Sequence, residues 1–109
     1  MRSIALVLGL CLGAAAMAAA QDAKVAKGQQ LFTDQKCTLC HSIAGKGNAK
    51  GSLDGVGSTL SADEIRSWIT DPKGMAAKTK AIRKPEMKVY TLPKDDVDAL
   101  VAYLSSLKK

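Results

Sequence analysis

The stretch "QKCTLCHSIAG", residues Gln35–Gly45, brings together two cysteines and a histidine. Cys37 and Cys40 are separated by two residues, and His41, the single histidine of the 109-residue sequence, follows directly. Such a pattern can be a structural zinc site, a redox-active dithiol, an anchor for a covalently bound prosthetic group, or a chance match. The rest of the chain decides among these alternatives.

The first two alternatives lack the residues or the setting they need. A structural zinc site requires four ligands, and no cysteine or histidine follows His41. A thioredoxin-like dithiol opens a helix beside strands, and no strand pair is evident here. Covalent attachment of a c-type haem uses all three residues, because each thiol adds to a vinyl group of one macrocycle and the adjacent histidine binds the iron. We therefore predict one haem c, linked through thioethers at Cys37 and Cys40, with His41 as proximal iron ligand.

The first twenty residues predict a bacterial-type secretory signal peptide. Arg2 supplies a positive charge, Ile4–Leu12 is an apolar run, and small residues continue to Ala20. The run is too short for an ordinary transmembrane helix, which argues against a retained membrane anchor. Cleavage after Ala20 would leave residues 21–109 as one exported domain, for which we expect a periplasmic location and no stable membrane insertion.

Three helices are predicted in that domain, at residues 22–33, 61–70 and 93–108. Apolar residues recur at helical spacing in each of them. The second helix opens with a capping box, in which Ser61 is the N-cap and Glu64 stands three residues later. So few apolar residues cannot build a large core by themselves, and a small domain of this kind usually depends on a cofactor or another covalent constraint.

Two long segments, residues 42–60 and 73–92, are predicted to be irregular, and loops of such length are often functional. The second contains the candidates for the distal iron ligand. Because His41 is the single histidine, a methionine is the natural partner across the iron. Met87, in "KPEMKVY", is the favoured ligand, and Met75, in "KGMAAKTK", is the fallback, with packing as its alternative role.

The positive charge of the chain is concentrated in residues 73–88. Without Arg2, 15 of the 16 basic residues remain against 10 acidic ones, for a net charge of +5. Residues 73–88 alone carry that excess, through Lys73, Lys78, Lys80, Arg83, Lys84 and Lys88 against Glu86. A local field of this kind favours an acidic partner protein. We predict that acidic redox proteins dock near this basic segment, and we predict no nucleic-acid partner.

Taken in order along the chain, these features resemble the class I c-type cytochromes, a group of small monohaem proteins, over residues 22–108. The resemblance implies an all-α, cytochrome c-like fold, with three main helices and two long loops wrapped around one covalently bound haem. It also implies that the first and last helices cross closely. Gly28 and Phe32 on the first helix and Tyr103 on the last match the residues of that contact.

One position departs from the pattern of these cytochromes. They usually carry a Gly-Pro pair whose proline carbonyl accepts the N–H of the proximal histidine, and here "KGSLDGVG" has Ser52 in that place. A backbone carbonyl near Gly51 or Ser52 is the expected substitute. Donors to the haem propionates are expected among Trp68, Arg66, Tyr90 and Arg83.

The predicted function is electron transfer rather than catalysis. With His41 and Met87 as axial ligands, the iron would have no open position for a substrate, and the protein would carry one electron between partners. The alternative is a haem-based sensor or enzyme that binds a gas or peroxide where the methionine ligand is labile or absent.

Overall fold

The computed structural model describes the backbone of residues 2–109 and the side chains of residues 14–109. The predicted signal peptide, residues 1–20, therefore lies largely outside the described side chains. The helices are α1 (Arg2–Asp34), α2 (Val56–Thr59), α3 (Ala62–Thr70), α4 (Pro72–Thr79) and α5 (Lys94–Ser105). Within the described residues, no helix is long and apolar enough to cross a membrane.

Helices α1 and α5 cross at Gly28, as the resemblance to the class I c-type cytochromes implies. A Cβ at this position would collide with the backbone oxygen of Ala99 and would lie 2.6 Å from the Cβ of Tyr103. One turn further along α1, the rings of Phe32 and Tyr103 meet edge to face, with centroids 6.1 Å apart. The glycine thus lets the two backbones approach, and the aromatic pair fills the space beside them.

Every described side chain from residue 14 to residue 24 is exposed, and packing along α1 begins at Val25. From there the core runs from α1 through α5 to α3. Its buried members are Phe32, Ile65, Ile69, Val97, Leu100, Val101, Tyr103 and Leu104.

Helix α3 begins with the predicted capping box. The Ser61 hydroxyl accepts a hydrogen bond from the Glu64 amide at 3.1 Å, and the Glu64 carboxylate accepts one from the Ser61 amide at 3.0 Å. The two bonds satisfy amide donors that have no partner within the helix. The bond from the Ser61 amide also lowers the pKa of the Glu64 carboxyl, because it stabilises the charged form.

The segment after α3 is more regular than predicted. The Asp71-Pro72 pair ends α3 at Thr70, but it also starts α4. Asp71 is the N-cap and accepts a hydrogen bond from the Gly74 amide at 3.1 Å, and Pro72 occupies the first turn. Met75, expected in a loop or a turn of helix, lies in this helix.

The expectation that the chain has no strand pair was wrong. Ser42–Ile43 (β1) and Lys46–Gly47 (β2) form a small antiparallel hairpin, in which Ile43 pairs with Lys46. Its two turn residues, Ala44 and Gly45, have φ of 53° and 81°. Such left-handed pairs make the tight turn that suits a hairpin.

The last helix is also shorter than predicted, since α5 ends at Ser105 and not at residue 108. The residues beyond it bind α2. The Gly57 amide donates to the Leu107 carbonyl at 2.9 Å, and the Lys108 ammonium donates to the Gly57 carbonyl at 2.6 Å. These bonds fix α2 against the end of α5.

Candidate functional site

The CxxCH motif folds as a tight turn that brings its reactive side chains together. Lys36, with φ of 57°, is in the left-handed region, and residues Cys37–Leu39 then form one turn of 3-10 helix. The amide of His41 donates to the carbonyl of Cys37 at 2.9 Å, which closes the turn. Cys37, Cys40 and His41 all line the same cavity.

The two cysteines of the motif differ in exposure, since Cys37 is half-buried and Cys40 is exposed. Burial raises the pKa of the Cys37 thiol, while the hydroxyl of Tyr90 beside it acts in the opposite direction. Asn48 supports this turn from outside, because its side-chain amide donates to the Leu39 carbonyl at 3.2 Å. No sequence motif marked Asn48 as part of the site.

His41 is oriented by the carbonyl of Gly51, which lies 2.9 Å from Nδ1. A carbonyl can only accept, so Nδ1 carries the proton and Nε2 is left with a free lone pair, as a metal ligand requires. Burial lowers the pKa of His41, and the Gly51 bond opposes that shift. The bond expected near Gly51 or Ser52 is therefore made by Gly51, which replaces the missing proline carbonyl.

Gly47 allows the loop between His41 and Gly51 to close. Its φ is 110°, and a Cβ would collide with the carbonyl oxygen of His41. The Asn48 amide donates to that same carbonyl at 3.0 Å. The backbone on both sides of the imidazole is thus held by hydrogen bonds within one short loop.

The cavity has a volume of about 450 Å³. This lies in the range of roughly 300–1,000 Å³ that cofactor and ligand sites occupy. Its walls are mostly apolar and are formed by helices α1, α3 and α5 and by the segment before α3. The apolar residues that line it are Phe32, Leu53, Val56, Leu60, Ile65, Trp68, Ile69, Leu100 and Leu104. An apolar cavity with two thiols and an oriented imidazole fits a large, flat apolar group attached at one edge.

The structure separates the two candidate methionines. Met87, half-buried, lines the cavity together with Pro85 and Tyr90. Met75 is 8% exposed and does not line the cavity. The arrangement puts Met87 on the same cavity as His41, whereas Met75 has the packing environment of a core side chain.

The four expected propionate donors also differ in position. Trp68, Tyr90 and Arg83 line the cavity, whereas Arg66 does not. The Arg66 guanidinium lies 2.7 Å from the carboxylate of Asp98 on α5. Arg66 is therefore engaged in an ion pair between α3 and α5.

The basic segment, residues 73–88, lies next to the cavity and is largely open to solvent. All six of its Lys and Arg residues are exposed, and its single acidic residue, Glu86, pairs with Lys84 at 3.0 Å. The Lys88 ammonium lies 4.9 Å from the centre of the Tyr90 ring, within the range of a cation–π interaction. The positive field of this segment is thus directed to solvent beside the cavity wall.

Comparison with known proteins agrees with a small helical protein that carries a covalent haem. The family model "Cytochrome c" matches residues 25–108. The chain is also 31% identical, over 91 residues, to cytochrome c oxidase subunit 2 of Alkalihalophilus pseudofirmus, an alignment that covers 75% of this chain and 25% of that subunit. The chain therefore spans about a quarter of the length of this relative. No solved structure gives a significant match.

The chain belongs to the cytochrome c family, as a class I c-type cytochrome with the predicted all-α fold. Membership implies a covalently bound haem c and a haem-based role in electron transfer.

Proposed function

We propose that the protein is an exported, periplasmic carrier of one electron, with a single haem c held by thioethers at Cys37 and Cys40. His41 and Met87 would hold the haem iron. The observation that carries the proposal is that all four residues line one apolar cavity. When bound, the haem iron supplies the chemistry, by alternating between its ferric and ferrous states.

The residues of the chain orient the iron ligand and form the cavity around the haem. The Gly51 carbonyl keeps the His41 imidazole in one tautomer and one orientation. Aliphatic and aromatic side chains form most of the cavity wall. With His41 and Met87 both holding the iron, the site would have little to rearrange when its charge changes and no open position for a substrate. These properties suit a carrier rather than an enzyme.

The ligand set can be tested by the ferric absorption band that arises from charge transfer between methionine sulfur and iron. We expect the band in the wild-type protein, its loss in Met87→Ala, and its retention in Met75→Ala, which truncates a methionine outside the cavity. An unchanged band in Met87→Ala would rule out this ligand. A five-coordinate wild-type protein that binds carbon monoxide readily would instead favour the sensor or enzyme alternative.

Export and haem number are tested on the mature protein itself. Mass spectrometry of periplasmic material should find a chain that begins at Gln21 and carries the mass of one haem after extraction of free haem. A chain that still contains residues 1–20 would contradict cleavage, and a mass without haem would contradict covalent attachment.

We further propose that acidic redox proteins dock beside the cavity at the basic segment. A small anionic oxidant, ferricyanide, can stand in for such a partner, and a cationic oxidant, hexaamminecobalt(III), serves as the opposite case. Rising salt should slow the first reaction and speed the second, because it screens the field of the lysines. Lys88→Gln should flatten both dependences more than the charge-matched change Lys24→Gln on α1. Equal effects of the two substitutions would refute docking at this segment.

A further inference from the structure

Arg83 connects two parts of the chain that lie far apart in sequence. Its Nη2 donates to the carbonyl of Cys40 at 2.7 Å. Its Nη1 packs so closely on Gly51 that a Cβ at that position would collide with it. Cys40 precedes His41 directly, and Gly51 accepts the hydrogen bond from its ring. One guanidinium therefore contacts the backbone on both sides of the imidazole.

The same guanidinium belongs to the segment that carries Met87. Arg83 precedes Met87 by four residues, and both line the cavity. We propose that Arg83 is a positioning residue that holds residues 80–87 against the CxxCH turn and thereby keeps Met87 over the cavity. This inference rests on the proposed role of Met87 as iron ligand.

The chemistry of the contact favours arginine. A planar guanidinium offers several N–H donors in fixed directions, so one nitrogen can bind the Cys40 carbonyl while another packs on Gly51. A lysine ammonium is a compact charge and would replace only part of this contact. The neighbouring Lys84 does not share it, because its ammonium donates to Glu86 at 3.0 Å. Lys84 thus offers a matched control, one residue away and with the same charge.

The experiment measures how easily an external ligand displaces Met87. Imidazole is titrated into the mature ferric holoprotein, and loss of the iron–methionine band gives its apparent affinity. Residues 80–87 must move away from the cavity before imidazole can displace Met87. A variant that holds this segment less firmly therefore has a higher apparent affinity for imidazole. Because Arg83 is exposed, we expect a modest effect: Arg83→Gln should bind imidazole about threefold to tenfold more tightly than wild type. Arg83→Lys should lie in between, and Lys84→Gln should match wild type.

Denaturant unfolding of each variant separates positioning from a general loss of stability. If Arg83→Gln matches Lys84→Gln in imidazole affinity, the inference is overturned, whatever its unfolding free energy. If Arg83→Gln does not accumulate as holoprotein, Arg83→Lys provides the same comparison, and an affinity equal to that of wild type overturns the inference. If the wild-type protein lacks the iron–methionine band, the proposed ligand set and this inference are both refuted. If the band is present and Arg83→Gln binds imidazole as tightly as wild type does, only this inference is refuted.

Discussion

The substitution Gly28→Ala tests the helix crossing through the sign of its effect. If helix propensity alone mattered, alanine would stabilise α1 by about 1 kcal/mol relative to glycine. The structure predicts the opposite, because the new methyl group would collide with the Ala99 carbonyl and press on the Cβ of Tyr103. The carbonyl belongs to the backbone of α5 and cannot turn aside as a flexible side chain would.

The expected size follows from these two opposing terms. Overpacking of a tight core costs about 1–3 kcal/mol, and contact with rigid backbone points to the upper end. After the gain of about 1 kcal/mol in propensity, a net loss of about 2 kcal/mol in the free energy of unfolding remains. For a domain of this size, that corresponds to a fall of roughly 10 °C in melting temperature.

The assay is guanidinium unfolding of the mature holoprotein, followed by far-ultraviolet circular dichroism. Ala26→Gly provides the control, since residue 26 is exposed on the same helix and the change reports propensity without a packing contact. We expect the control to lose about 1 kcal/mol. A Gly28→Ala protein as stable as wild type, or more stable, would refute the close crossing of α1 and α5.

Two further predictions concern helix ends and charge. Ser61→Ala removes the N-cap of α3 and should lower the free energy of unfolding by about 1 kcal/mol; an unchanged value would contradict the capping box. Lys94 first, and then Arg66, hold the pKa of the Asp98 carboxyl below its ordinary value by binding its charged form. That contribution to stability is present above the pKa of the unfolded state and disappears as pH falls through the lower, folded-state value. Asp98→Asn should therefore be less stable than wild type at neutral pH, with a difference that shrinks below about pH 4, and a difference that stays constant down to pH 2 would contradict the ion pairs.

Local signals in the sequence were sufficient for much of the fold. The Ser61–Glu64 capping box located the start of α3, because a short stretch of chain determines it. The close helix crossing at Gly28 followed from the resemblance to the class I c-type cytochromes. The order of helices and the CxxCH motif then pointed to the family.

The parts that were missed depend on contacts or on less usual conformations. Ala44 takes a left-handed turn position that alanine rarely occupies, and its amide donates to the Asp54 carboxylate at 2.8 Å. No Asn-Gly pair marked the hairpin, so the sequence pattern did not predict it. Helix α4 lies in a segment that the sequence pattern predicts to be irregular, although Asp71-Pro72, which follows the end of α3, is also a good helix start.

For the candidate site, the sequence could name residues but not decide their partners. From the sequence alone, Arg66 and Arg83 are equivalent candidates for donors to the haem propionates. Only the fold places one beside Asp98 and the other beside Cys40. The choice of Gly51 as the carbonyl that orients His41 likewise depends on the path of a loop, and that path is set by tertiary contacts.

The crossing of α1 and α5 also determines which parts of the protein open locally and which open only on global unfolding. Gly28 and Ala99 are 71 positions apart, and the cavity-lining residues from Phe32 to Tyr90 lie within the length of chain that their contact closes. Because residues 80–86 are exposed, we expect the segment around Met87 to detach while the crossing stays intact, and we expect separation of the helices to disrupt most of the cavity wall. Amide hydrogens of α1 near Gly28 and of α5 should exchange with solvent only through global unfolding, and those of residues 80–90 through smaller, more frequent openings.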